Sequence, residues 1–505
     1  MEFNTEKLQF DSVETKKYNV NVSAKELVYD GAKVLSTVAY VCCGRSEIIN
    51  NEVILEGVVN FVVIVKNHDE INKIVRSERF SLSEKIVSQN KISNVFASAK
   101  VRKIRAYCEA NNLMLSCNVD ISALFIVSDH IEYISDNLGE EYKKKTEPVK
   151  LYKNIFAKQM RFSVSECTEL SPRVPEIKEI LSVCAFPCVR ETHVSAGQLI
   201  IGGEISVQTV YRSVDEYDPI IQINDKIDFS QIIEVSEMTA NDPIVNLSVE
   251  DVNGTVSLNE QGETRVITYS IGLCGYAFAN ETVEKEFIVD AYSTNRRIEC
   301  KNNKAEIYGI SDKTSVFANK NINVRVPEGK APVSRAIAVT FLPSVLSSEI
   351  VNSKANLKCS ADVSVIYSAS GTGENEGFNT SVEFEIFLDN ILPNKCDAVI
   401  TDLTLNDMQA VLLSGTELEI RTGLNIEILP QYISNAQLVT ELKESNEKDF
   451  PEFGVIIYNV QPGDTLWDIS KKYGVDSEDL LKLNHELCEY PEVGQKLYIF
   501  RRLVV

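Results

Sequence analysis

Residues 199–211 read LIIGGEISVQTVY. From Ile205 onward apolar and polar side chains alternate, with Ile205, Val207 and Tyr211 on one face and Ser206 and Gln208 on the other. A period of two is the mark of a half-buried strand, since successive side chains of an extended chain point to opposite sides. Two further stretches share this pattern, VILEGVVNFVVIV (53–65) and LKCSADVSVIY (357–367). Each follows a second marker: KVLSTVAYV (33–41), EILSVCAFP (179–187) and RAIAVTFLP (335–343). The spacing from the end of that marker to the small residue is 16 for Val41 to Gly57, 16 for Pro187 to Gly203 and 18 for Pro343 to Ala361.

The likeness extends outward in both directions. FSLSEKI (80–86), DFSQIIE (228–234) and EFEIFLD (383–389) come next, then LMLSCNVDISALF (113–125), RVITYSIGLCGYAF (265–278) and LEIRTGLNIEIL (418–429). Short strand-like runs begin each block: YNVNVS at 18, FSVSEC at 162 and TSVFAN at 314. Val41 to Pro187 is 146 residues and Pro187 to Pro343 is 156. Solenoid and propeller repeats recur at roughly 20–50 residues, so a period this long describes whole domains in tandem. Polar turn clusters such as NEQGE (259–263) and SGTGENEG (370–377) separate the runs, as hairpins require. The reading is a mainly β multidomain chain, with three antiparallel β-sandwich-like repeats over 1–150, 151–304 and 305–443. Each block closes on a mixed segment, IEYISDNLGEEYKKK (131–145), VEKEFIVDAYS (283–293) and QYISNAQLVTELKE (431–444). In the last, Tyr432, Ala436 and Val439 fall at helical spacing and predict a helix. A polar linker over 444–453 follows.

Net charge is −22, from 51 Lys+Arg against 73 Asp+Glu. Nucleic acid and anionic membrane both call for clustered positive charge, so neither is expected as partner. No basic stretch followed by an apolar run opens the chain, and no run reaches the roughly 18 apolar residues that span a bilayer. A cytoplasmic location follows as the expectation. The 12 Cys contain no CxxC pair. Cys42 and Cys43 are adjacent, and Cys184 and Cys188 lack a second pair or a nearby His for zinc. Cys117, Cys274 and Cys359 sit in apolar runs, where a reduced Cys serves as a small hydrophobe. The four His (68, 130, 193, 485) show no metal spacing, and no GxSxG, GxxxxGK[ST] or GxGxxG occurs. No catalytic residue, metal site or cofactor is expected.

Residues 454–505 read differently. IIYNV (456–460) is a strand and Pro462-Gly463 a turn. Asp464 or Thr465 caps a helix whose Leu466, Ile469, Ser470 and Tyr473 share a face, and Gly474 stops it. Asp476 caps a second helix, with Asp479 at the reach-back position and Leu480 and Leu483 inside. QKLYIF (495–500) is the closing strand.

This βααβ unit resembles a LysM domain, through Tyr458, Val460, Gly463-Asp464-Thr465-Leu466-Trp467, Ile469, Tyr473, Val475, Leu480, Asn484 and Gly494-Gln495-Lys496-Leu497. Its signature residues Trp467, Ile469 and Leu480 read as core. LysM domains commonly bind N-acetylglucosamine polymers in a shallow groove. The resemblance places Gly463, Asp464, Thr465 and Leu466 on one side of that groove, and Asn484, His485, Glu486 and Leu487 on the other. The second rim, HELCEYPE (485–492), holds three Glu, which also suits a cationic protein surface. The repeats resemble the SPOCS domain, through GGEISVQTVY, CSADVSVIY, FSLSEK, DFSQII and VDAYS. SPOCS repeats with one terminal LysM are the architecture of SipL-type spore-envelope morphogenesis proteins. That resemblance implies a mother-cell protein recruited to the forespore surface, acting with the coat ATPase SpoIVA, which the LysM domain docks. A peptidoglycan-binding protein with β-domain spacers is the alternative, and self-association of the repeats stays open.

Overall fold

The computed structural model describes residues 5–68, 70–86, 91–135, 138–215, 219–235, 243–351, 354–389, 392, 396–445, 450, 454–485 and 488–501. Of the expected linker 444–453, only 444, 445 and 450 fall among them. The chain is mostly antiparallel β up to residue 444, as the alternation implies. In the first unit a long strand, β1 (Thr5–Leu27), precedes a meander of β2 (Lys33–Ile49), β3 (Glu52–Asn67) and β4 (Glu70–Lys85). Strands β5 (Lys91–Glu109) and β6 (Asn112–Ile134) then return beside β1, in the order β1-β6-β5. The second unit repeats this with β7 (Tyr142–Glu169), the meander β8 (Ile177–Ser195), β9 (Gln198–Ser213) and β10 (Ile220–Glu234), then β11 (Ile244–Ser257) and β12 (Val266–Ser293). In the third the long strand is split into β13 (Ile298–Ile310) and β14 (Thr314–Arg325). The meander β15 (Val333–Val351), β16 (Lys354–Ala369) and β17 (Asn375–Leu388) and the strands β18 (Ala398–Ser414) and β19 (Glu417–Glu444) follow. Strand β7 runs through position 150/151 and β13 through 304/305.

Within each unit the meander packs on the long-stranded sheet. In the second, Leu199, Ile201, Ile205, Val207 and Tyr211 meet Ile267, Tyr269, Ile271 and Leu273 in one buried cluster. Phe80 lies opposite Gly57, and Phe229 opposite Gly203. A Cβ on Gly203 would come within 2.7 Å of the Phe229 ring and 2.3 Å of the Cys188 carbonyl oxygen, so the position admits only glycine while Phe229 stays in place. The strand pairing also resolves the offset of 18. Pro343 faces Ala361 as Pro187 faces Ile205 and Val41 faces Val59. The counterpart of Gly203 is therefore Cys359, opposite Phe384, and not Ala361.

The three units close on one another around a common axis. One buried cluster takes counterpart residues from each: Leu35, Leu181 and Ile337, with Ile64, Val210 and Ile366. A second takes Phe96, Ile244 and Ile400. Between them a cavity of about 100 Å³ is lined by the triples Tyr40, Phe186, Leu342 and Ala99, Leu247, Leu403. The junctions repeat as well. Strands β5, β11 and β18 each shift register by one extra residue, at Arg102, Glu250 and Asn406. Beside those bulges Asn60 Nδ2 donates to the Glu250 carbonyl at 3.0 Å, and Ser206 Oγ to the Asn406 carbonyl at 2.7 Å. At the third junction the polarity reverses, and the Ile104 N–H donates to Asp362 Oδ2 at 2.5 Å. A disulfide joins Cys42 to Cys274 across the first junction, so Cys274 is not the free thiol expected. The matching pair at the second junction is Cys188 and Asn425, whose Nδ2 lies 3.1 Å from Sγ.

The predicted helix over 431–444 is a strand, and so is 283–293, while 131–145 gives the end of β6, a turn and the start of β7 among its described residues. Ala436 and Leu438 point inward by strand alternation. They join one buried cluster and Val439 and Leu442 another, so the strand is covered on both faces, and apolar residues at both parities imitate helical spacing in sequence.

Asp362 is 3% exposed, and burial pushes its carboxyl up to about 7 against the Ile104 N–H and Lys103, which favour the charge. An acid with a raised folded pKa keeps its proton in the fold after the unfolded chain has lost it. Stability therefore falls as pH rises from about 4 to about 7 and then levels off. Asp362→Asn should remove this slope. Urea unfolding should show the variant gaining stability over wild type at about pH 8, on the order of a few kcal/mol, and little or none at about pH 4.

Candidate functional site

After residue 453 the alternation gives way to a strand, two helices and a strand: β20 (Gly454–Asn459), α1 (Leu466–Tyr473), α2 (Ser477–Leu483) and β21 (Lys496–Arg501). Thr465 is the cap of α1. Its hydroxyl accepts from the Asp468 N–H at 3.1 Å, while the Asp468 carboxylate takes the Thr465 N–H at 3.3 Å, which completes a capping box. Gly474 ends the helix in the left-handed region at φ 62°. Asp476 caps α2 by accepting from the Glu478 N–H at 2.9 Å. Asp479, placed for a reach-back bond, lies instead 3.3 Å from Lys482. Val460, Leu466, Ile469, Val475, Leu480, Leu497 and Ile499 form the core. Leu483, expected inside, is 46% exposed.

The residues expected to line a groove come from the β20–α1 loop and from the segment after α2. Gly463 turns the chain at φ 89°. The Asp464 carboxylate accepts from the Tyr458 hydroxyl at 2.6 Å and from the Gln461 N–H at 2.7 Å. Burial raises the Asp464 carboxyl, but these two bonds outweigh it and hold the group below its ordinary range. The same contact pushes the Tyr458 phenol up to about 12. Leu466 is buried, and its N–H donates to the Glu489 carbonyl at 2.9 Å, which ties the two loops together. Asn484 acts as a substitute strand. Its Oδ1 accepts from the Tyr498 N–H at 2.8 Å, and its Nδ2 donates to the Tyr498 carbonyl at 2.8 Å and the Leu480 carbonyl at 2.9 Å. His485 is exposed in the turn after α2. Glu486 and Leu487 lie outside the described residues. The polar side chains of Asp464, Thr465 and Asn484 are thus bonded within the domain. Beyond them Glu489, Tyr490, Glu492 and Val493 stand exposed.

The family model of the LysM domain matches residues 458–500, and that of the SipL, SPOCS domain matches residues 176–257. The chain carries a SPOCS domain and a C-terminal LysM domain. The SPOCS match runs from the edge of β8 through β11, whose counterparts in the other units are β2 to β5 and β15 to β18. No curated protein and no solved structure matches the chain. Both domains are of binding and scaffold families, and the pair points to a role in spore morphogenesis. Among the described residues no helix is long and apolar enough to cross a membrane.

Trp467 is absent from the LysM core, where its place in the signature had put it. Its indole N–H donates to Asp290 Oδ2 at 2.8 Å, far away in the second unit. Nothing in the local sequence signals this, because the partner is 177 residues distant. Trp467 is also the single tryptophan of the chain, so its fluorescence reports this domain together with its contact to the second unit. Thr465→Ala should lower LysM stability by about 1 kcal/mol through loss of the cap. Chemical unfolding read by tryptophan emission should shift to lower denaturant, while far-ultraviolet circular dichroism of the β units should not move.

Proposed function

We propose that the chain is a non-enzymatic scaffold of spore-envelope assembly, built from three SPOCS-like units and a LysM domain. It is recruited from the mother-cell cytoplasm to the forespore surface, where the LysM domain docks the coat ATPase SpoIVA. The observation that carries this is the state of the groove. Binding a sugar polymer calls for free donors and acceptors, and Asp464 Oδ2, the Thr465 hydroxyl and the Asn484 amide are already bonded inside the domain. What the surface offers instead suits a protein. Glu489 and Glu492 are exposed, and Tyr490 and Val493 beside them are 69% and 66% exposed. On the outer face of the β20–β21 pair, Val455 and Phe500 sit opposite each other beside Ile457 and Tyr498, all four exposed. A contiguous apolar patch of this kind marks a contact surface. The alternative, a glycan-binding module, is favoured by the LysM match alone.

The full chain should be retained on immobilised SpoIVA and should not co-sediment with purified peptidoglycan. Glu489→Lys together with Glu492→Lys should weaken retention several-fold if a cationic partner surface meets this rim. Co-sedimentation of the wild type with peptidoglycan, without retention on SpoIVA, would shift the reading to the glycan.

A further inference from the structure

One face of α1 is engaged by the second β unit. The Asp290 carboxylate bridges two donors, the Trp467 indole N–H at 2.8 Å and the Lys471 ammonium at 2.5 Å. Burial works against its charge, yet the bonds from Lys471 and Trp467 prevail and keep it ionised. Two residues on, the Tyr292 ring meets the indole edge-on, with centroids 4.9 Å apart at 72°. Its hydroxyl donates to the Val475 carbonyl at 2.9 Å, at the end of the helix. Tyr292 is 2% exposed, so its side of the contact is closed to water, while the Asp290 and Lys471 side chains stay half-buried at the rim. Lys143 adds an ion pair to Asp476 at 2.5 Å. Asp290 and Tyr292 lie on one extended strand, and both reach the helix face. A bridging carboxylate and an edge-on aromatic pair are each among the stronger contacts a small interface can make.

We propose that the α1 face, built on Trp467 and Lys471, is a recognition surface for an extended acidic–aromatic segment of the form Asp-x-Tyr. The chain's own Asp290-Ala291-Tyr292 occupies it as an internal ligand. The LysM domain is thereby latched to the second unit, and a protein presenting the same pair in extended form takes this face only by displacing the latch. The latch stands whatever the LysM domain binds. Its role as a gate rests on that domain being the docking module.

The full-length protein tests this through its single tryptophan. Asp290→Ala should red-shift Trp467 emission and raise its quenching by acrylamide several-fold, with the circular dichroism of the β units unchanged. Lys471→Glu, on the exposed side of the contact, should do the same by setting two negative charges against each other. A labelled peptide of residues 287–293, FIVDAYS, should bind the Asp290→Ala chain, but neither the wild type nor the Asp290→Ala/Lys471→Glu chain. Emission and quenching like wild type in both single variants would overturn the latch. A red shift without peptide binding would overturn the recognition of Asp-x-Tyr. Neither arm uses SpoIVA or peptidoglycan, so failure of the scaffold reading would leave both results standing.

Discussion

In each unit the strand that follows the meander carries an extra residue at a matching position, and beside that bulge the neighbouring unit attaches. A bulge leaves backbone groups out of the ladder, and a buried backbone group needs a partner. The neighbouring unit's meander supplies it at two of them, Asn60 at Glu250 and Ser206 at Asn406, while at the third Asp362 takes the N–H of Ile104, two residues past the bulge at Arg102. Three such junctions join three units head to tail, so the ring closes and leaves no unit with an open junction. The axial clusters can form only once this is satisfied, since each takes a residue from every unit.

The junctions are alike in place and different in chemistry. Asn60 and Ser206 donate to carbonyls, whereas Asp362 accepts, and it does so buried and with its charge disfavoured. The Cys42–Cys274 bond at the first junction becomes a thiol–amide contact at the second. At the third the same places are held by Ser344 and Asp120, and Ser344 turns to Ser360, with Oγ atoms 3.0 Å apart. Repeats that have diverged this far no longer exchange places. The LysM domain accordingly meets one unit in particular, the one whose ribbon ends in Asp290 and Tyr292.

Local chemistry was legible wherever neighbours in sequence are neighbours in space. Thr465 and Asp468 form their capping box three residues apart, and Gly474 supplies the left-handed stop that its position after Tyr473 announces. The stretch 199–211 is a strand, as its alternation implies, with Ile205 and Tyr211 fully buried, but its other face is covered as well, with Gln208 5% and Val210 3% exposed. Reading failed where tertiary neighbours set the pattern. Tyr432, Ala436 and Val439 imitate a helix because both faces of that strand are covered, so buried residues fall at odd and even positions alike. The counterpart of Gly203 was misplaced by two residues for a related reason. Spacing along the chain fixes a residue's place in a hairpin only when the pairing partner is also known.

By itself the sequence determined the strand content, the threefold recurrence and the βααβ fold of the last domain, since periodicity, turn chemistry and helix capping act over a few residues. The tertiary structure alone decided how the units meet, which cysteines join, and what Trp467 does. Cys42 finds Cys274 across 232 residues and Trp467 finds Asp290 across 177, distances over which no local pattern reports a partner. Only closure of the ring and docking of α1 against the second unit bring those side chains together.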